Sequence, residues 1–215
     1  MEVVIARQFR GPNDSGNGGY SCGLVAAGVG NPAEVTLRLP PPLDRQLRFE
    51  DGRLWDDGEV VADAVAAELD LEPPAAVSFA EATAAAQPDV DSPFPECFVC
   101  GHRRDDGLRI FAGPVPGLGV VAAPWVPKAE ETRPEFVWAA LDCPGAYATG
   151  VLGRGTVVLG RLAADVRRVP RAGERCVVVG WPLGGDGRKH FAGTALYGED
   201  ADLIGVARAT WIEPR

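Results

Sequence analysis

The sequence predicts an α+β protein in which two antiparallel sheets are each wrapped around one central helix. Three observations carry this expectation. Short runs rich in Val, Ile and Leu, bounded by Gly, Pro, Asn and Asp, recur along the chain in the manner of strands joined by turns. Two segments rich in small residues, Tyr20 to Val29 and Pro134 to Thr149, read as packed helices that can approach a sheet closely. The order of elements then repeats, each half giving a strand, a loop, one small-residue helix and a meander of strands. After the helix, the first half runs into Pro42-Leu-Asp-Arg-Gln-Leu-Arg-Phe and the second into Pro170-Arg-Ala-Gly-Glu-Arg-Cys-Val. Their identity is low, so the shared order of elements is the stronger sign. The expected halves are 1–90, which includes a connector, and 91–215.

Taken in order, Glu2 to Arg10 is rich in Val and Ile and reads as a short strand. Gly11 to Gly19 consists of turn formers and reads as a loop feeding the first helix, which ends near Gly30-Asn31-Pro32. Ala33 to Leu39 alternates as a strand, the prolines at 40–42 break it, and Gln46 to Glu50 resumes. Asp51-Gly52 and Asp56-Asp57-Gly58 are hairpin turn signals. Val60 to Leu69 fits two states, since its Ala content favours helix and its Val spacing permits a strand. Leu71 to Pro95 is Pro-rich at both ends and reads as the connector, with a short helix over Phe79 to Ala86. Further strands are expected at Leu108 to Phe111 and Gly119 to Trp125. After the second helix they follow at Val157 to Arg168, Arg175 to Gly180, Phe191 to Leu196 and Leu203 to Ile212. The turn Gly184-Gly185-Asp186-Gly187 separates two of them.

Composition limits the function. Hydrophobic residues make up 46%, enough for a proper core, and 24% charged residues argue against a disordered chain. A formal net charge of −9 disfavours non-specific nucleic-acid binding, which needs clustered Lys and Arg. The N-terminus has no basic stretch followed by a long apolar run, and no apolar window is long enough to span a bilayer. A soluble, cytoplasmic protein with no membrane partner is expected. Five cysteines, an odd number in that setting, fit reduced thiols better than disulfides.

The second helix carries the most informative residue. Phe136, Val137, Ala140 and Leu141 form one apolar face, and into this run the sequence places a single carboxylate, Asp142. Pro144 follows two residues later and should kink or end the helix. Asp142 therefore belongs at a break in a buried helix, an unusual place for a charge. Cys97-x-x-Cys100, with His102 nearby, invites a zinc reading. Structural zinc usually takes four ligands in two paired clusters, and Cys22, Cys143 and Cys176 are isolated in sequence. No metal and no cofactor are expected. Nucleophile elbow, Walker loop and dinucleotide fingerprint are all absent.

Cys97-Phe-Val-Cys-Gly followed by Asp106-Gly-Leu-Arg-Ile-Phe is similar to a segment that opens many hotdog domains. Trp125-Val-Pro and the helix after it are similar to their second strand and central helix. Asn17-Gly18-Gly19-Tyr20 is similar to the His-Gly-Gly turn that starts that helix. With the repeated sheet-and-helix pattern, the chain resembles the hotdog-fold acyl-CoA thioesterase-like superfamily in its double-hotdog form.

The resemblance implies hydrolysis of an acyl-CoA or related acyl thioester where the two halves meet, with the pseudo-dimer contained in one chain and homo-oligomers allowed. Asp142 would be base or nucleophile. Gly18 and Gly19 would form the oxyanion turn with Asn17 as a polar neighbour, facing Asp142 across the thioester. Tyr20, Asn13, Tyr147 and Trp138 would contact substrate. Departures from the family stand beside this: Asn17 replaces the histidine, the second half has Arg133-Pro134-Glu135 in place of a glycine pair, and the first helix has no carboxylate. They favour the alternative, a non-catalytic acyl- or CoA-binding or scaffold protein on the same fold. Plainer roles also remain, including a tight turn at Gly18-Gly19, a helix-end bond for Asp142 near Pro144, turn chemistry for Asn13 and Asn17, and a core or rim place for the tyrosines. Within the resemblance, Cys97-x-x-Cys100 is a turn before a strand. Arg167, Arg168 and Arg171 read as a solvated edge in preference to a CoA phosphate site.

Overall fold

The structure is a computed structural model that describes residues 1–151 and 155–214. The first set of elements is β1 (Glu2–Val4), α1 (Gly18–Ala26), β2 (Ala33–Leu37), β3 (Gln46–Glu50), β4 (Arg53–Asp56) and β5 (Glu59–Ala66). The connector carries α2 (Phe79–Ala85). The second set is β6 (Gly113–Pro114), β7 (Val121–Trp125), α3 (Pro134–Ala140), α4 (Cys143–Ala148), β8 (Val158–Val166), β9 (Cys176–Asp186), β10 (Lys189–Tyr197) and β11 (Leu203–Ile212). None of the described helices is long and apolar enough to cross a membrane.

One continuous sheet replaces the two expected. Its eleven strands run in the order β1-β3-β4-β5-β2-β8-β11-β10-β9-β7-β6. β2 and β8 pair antiparallel, Ala33 opposite Ala164 through Thr36 opposite Arg161. Two separate sheets would each leave a strand edge with open N–H and C=O groups there, and the pairing satisfies both. The order β1-β3-β4-β5-β2 recurs on the far side of this pair as β7-β9-β10-β11-β8, with α1 after β1 and α3–α4 after β7.

Local rules hold where the signal is local. Asp51 and Gly52, and Asp57 and Gly58, all have positive φ, as two-residue hairpin turns require. Elsewhere tertiary context decides. The ambiguous stretch after Gly58 is strand β5, because β2 and β4 pair with its two edges and outweigh the helical preference of its alanines. Leu108 to Phe111 is not a strand of the sheet. Its N–H groups at Leu108 and Ile110 bond back to Phe98 and Val99, and Arg109 has a φ of 57°. β1 stops at Val4 and gives way to a 3-10 turn at Arg7–Phe9. The turn expected at 184–187 moves to Gly187, since β9 extends through Gly184 and Gly185.

The sheet is covered differently along its length. β3 alternates, with Leu47 and Phe49 buried and Arg48 and Glu50 exposed. β9 is buried on both faces over Cys176 to Gly180, which is why it reads as an unbroken apolar run. Cys176 and Val178 face the main core, while Val177 and Val179 join Ala82 of α2 and Ala122 in a second cluster. The connector is thus a lid on the outer face, tied down where the Tyr197 hydroxyl donates to the Pro74 carbonyl.

Candidate active site

The site forms where the start of α1 meets the break between α3 and α4. Asn17 caps α1: its Oδ1 accepts from the Tyr20 N–H at 2.9 Å. That bond directs its amide nitrogen the other way, to Asp142 Oδ2 at 2.8 Å and toward Cys97 Sγ at 3.7 Å. The helix starts at Gly18, not Tyr20, so the glycine pair is its first turn. Gly19 N–H donates to Asp142 Oδ2 at 2.9 Å. A Cβ on Gly19 would lie 2.4 Å from Asp142 Cβ and 2.5 Å from the Trp138 carbonyl oxygen, and one on Gly23 would lie 2.6 Å from Glu135 Cα. The two glycines, one turn apart, set how closely α1 and α3 approach.

The expected break falls at Asp142, which has φ −80° and ψ −81°. Pro144 in the first turn of α4 has no N–H to leave unsatisfied. Thr194 Oγ1 donates at 2.7 Å to the Leu141 carbonyl that the break frees. Asp142 does not cap its own helix α4; it caps α1 instead. Gly19 and Asp142 are in direct contact, where the sequence expected the glycine turn and the acid to face each other across a substrate.

Asp142 is 2% exposed. Its Oδ1 has no hydrogen-bond partner among the described residues. Burial pushes its carboxyl up to about 7; the Gly19 N–H and the Asn17 amide oppose the rise, and charge on Cys97 adds to it. Asp142 lies in the wall of a cavity of about 320 Å³, with Asn17, Gly18, Tyr147, Leu159 and Trp211 around it. Gly18 holds the first helical position, whose N–H has no partner within the helix. A Cβ there would sit 2.8 Å from Leu159 Cδ2. Trp211 Nε1, also buried, has no partner among the described residues.

Of the residues singled out from sequence, Asn17, Gly18, Asp142 and Tyr147 share the cavity wall, and Gly19 stands behind Asp142. Tyr20 lies outside that wall, stacked on Phe9 at 4.0 Å with Phe98 and Phe136 edge-on. Burial pushes its hydroxyl up to about 12. Trp138 fills the contact between α1 and α3, and Asn13 is exposed in its loop. His190 pairs with Glu213 at 2.6 Å, outside the cavity wall. Arg168 is held by Glu174 and Asp202.

Sequence reasoning missed Trp211 and the third member of a thiol cluster. Cys143, the residue after Asp142, lies beside Cys97 and Cys100 in the same wall. The neighbouring Cys100 and Cys143 thiols hold the Cys97 thiol well below its usual range, helped by the Cys100 and Val99 N–H groups against the cost of burial. Contact with Cys100 and Cys97, then burial, pushes Cys143 up. Burial is the main cause that pushes the Tyr147 hydroxyl up, and the neighbouring Cys100 and Cys143 add to it.

No protein-family model and no curated protein sequence matches the chain. Solved structures do match it along its length. A Thermobifida fusca protein put forward as a thioesterase II is 12% identical with a TM-score of 0.63, over 100% of this chain and 92% of that one. A conserved protein of unknown function with hot dog fold from Alicyclobacillus acidocaldarius is 11% identical with a TM-score of 0.61, over 100% and 92%. The tesB protein of Mycobacterium avium subs paratuberculosis is 10% identical with a TM-score of 0.61, over 95% and 89%. At these identities the likeness establishes the fold, which is the hot dog fold.

Proposed function

We propose that this hot dog protein hydrolyses an acyl-CoA or related acyl thioester, as a double hotdog whose halves, 1–90 and 91–215, build one site. The observation that carries the reading is a buried carboxylate with one oxygen held and the other without a partner among the described residues, in a cavity wall beside the start of a helix. The acyl chain occupies the mostly apolar cavity. The Gly18 N–H, with the α1 dipole behind it, donates to the thioester oxygen as negative charge develops there. Asp142 Oδ1 takes a proton from water, the resulting hydroxide bonds to the carbonyl carbon, and the C–S bond breaks to release the thiolate. Asn17 is a positioning residue that holds Oδ2 and leaves Oδ1 to take the proton. Tyr147 lies in the wall against the substrate. The reaction needs no cofactor, and we place it in the cytoplasm.

The test is thiol release from a panel of acyl-CoAs that differ in chain length and polarity. Turnover of one chain-length class is expected, and release from none of them overturns the reading. One observation favours non-catalytic acyl binding: the Gly19 N–H and the Asn17 amide are already engaged by Asp142. That second reading predicts saturable binding of a non-hydrolysable acyl-CoA analogue with no thiol release from the esters.

A further inference from the structure

We propose that Cys97, Cys100 and Cys143 form a three-thiolate site for a zinc ion, on the cavity side of the junction between the two sets of strands. The three sulfurs lie within 4.8 Å of one another, and Cys97 Sγ is 3.8 Å from Cys143 Sγ. A tetrahedral site with zinc–sulfur bonds of about 2.3 Å has sulfur–sulfur edges of about 3.8 Å. One edge already has that length, and closing the others takes shifts of at most about 1 Å.

The turn that presents two of these sulfurs is fixed by its own backbone. The Gly101 N–H bonds the Cys97 carbonyl at 2.8 Å, and a Cβ on Gly101 would lie 2.6 Å from Cys97 N, so the turn closes only with glycine. Outside the turn, Leu108 and Ile110 N–H groups bond Phe98 and Val99 and fix its backbone. Cys143 arrives from 46 residues away at the start of α4, positioned by the same break that positions Asp142.

One donor outside the cluster reaches the sulfurs: the Asn17 amide nitrogen lies 3.7 Å from Cys97 Sγ. Such donors stabilise thiolate ligands and fix their orientation. Sulfur ligands select zinc over magnesium or calcium, which take oxygen. All three cysteines line the cavity, and an exogenous fourth ligand would reach the ion from there. A site with three protein ligands and an open position accepts an exogenous ligand, whereas a closed structural site does not. The ion would also join the loop at Cys97 to α4, two segments far apart in sequence. This inference does not depend on the thioester reading.

The full chain, purified under reducing conditions and stripped with a chelator, is titrated with Co²⁺ and then Zn²⁺. One equivalent of Co²⁺ should give thiolate charge-transfer bands with the intensity of three sulfurs and the strong visible bands of a tetrahedral site. One equivalent of Zn²⁺ should displace it. All five cysteines are buried, so zinc should slow the reaction of Cys97, Cys100 and Cys143 with a thiol reagent and leave the rates of Cys22 and Cys176 unchanged. Cys143→Ser should weaken zinc binding by more than about 100-fold, the upper range for merely losing a supporting residue. Cys176→Ser, outside the cluster, should leave it unchanged. The proposal is overturned by a chain that binds no stoichiometric metal, by a cobalt complex without thiolate bands, or by unchanged affinity in Cys143→Ser. If Cys143→Ser does not fold, the wild-type spectrum and thiol reaction rates decide by themselves. A Cys97–Cys143 disulfide in place of metal binding also overturns it.

Discussion

α1 follows β1 and the α3–α4 pair follows its counterpart β7, yet they are built in opposite ways. α1 is continuous and uncharged, and its notable feature is its start, with an Asn cap and two glycines. The α3–α4 pair is broken, and its notable feature is the break, with a buried carboxylate. A helix start has N–H groups to satisfy, and a buried carboxylate needs donors. Each segment supplies what the other lacks, at 2.8 and 2.9 Å. The difference teaches that the two sets of strands are not interchangeable copies: this polar centre is complete only when both are present.

Substitutions at the junction can break that complementarity. Gly19→Ala is expected to have the largest effect, because its Cβ would meet backbone of α3 that cannot swing aside. A loss of about 3 kcal/mol, read from urea unfolding, is expected from such overpacking. Asn17→Ala removes the α1 cap and one donor to Asp142 together. It should cost about 2 kcal/mol by the same measurement. Gly18→Ala meets only the Leu159 side chain, which can rotate, so about 1 kcal/mol is expected. Any larger loss there than at Gly19 would contradict the close approach of α1 and α3.

A control belongs to one set of strands alone. Glu174 is held down to about 2, first by Arg168. A carboxyl whose folded value is depressed contributes stability above its unfolded value, near 4.3, and loses it as pH falls toward 2. The urea midpoint should therefore drop across that interval. Glu174→Gln should flatten the drop and cost about 1 kcal/mol at neutral pH, since Arg168 keeps Asp202. An acid transition of unchanged steepness would contradict the pairing.

The sequence displayed features that depend on neighbouring residues. The Asp-Gly hairpins, the alternation of Gln46 to Glu50 and the break beside Asp142 and Pro144 are each contained in a few consecutive letters. What escaped it depends on distant pairing. The β2–β8 pairing merges the sheet through strand edges, which leave no mark in side-chain periodicity. Tyr20 looked like a site residue, but Phe9, Phe98 and Phe136 from three other segments enclose it. Cys143 looked isolated because its thiol partners are 46 residues upstream at Cys97 and just beyond at Cys100. Asn17 and Asp142 are 125 residues apart, and only the fold makes them a pair.

The central claim is that Oδ1 of Asp142 does chemistry in the cavity. The most direct measurement compares kcat/KM for thiol release by the wild type and Asp142→Asn on the best acyl-CoA, with urea unfolding of both. Asparagine keeps an acceptor for the Gly19 N–H, so stability should stay within about 1 kcal/mol. Thiol release should fall by about 10²- to 10⁴-fold, the usual contribution of a positioned base. A folded Asp142→Asn protein that releases thiol at the wild-type rate would contradict the account.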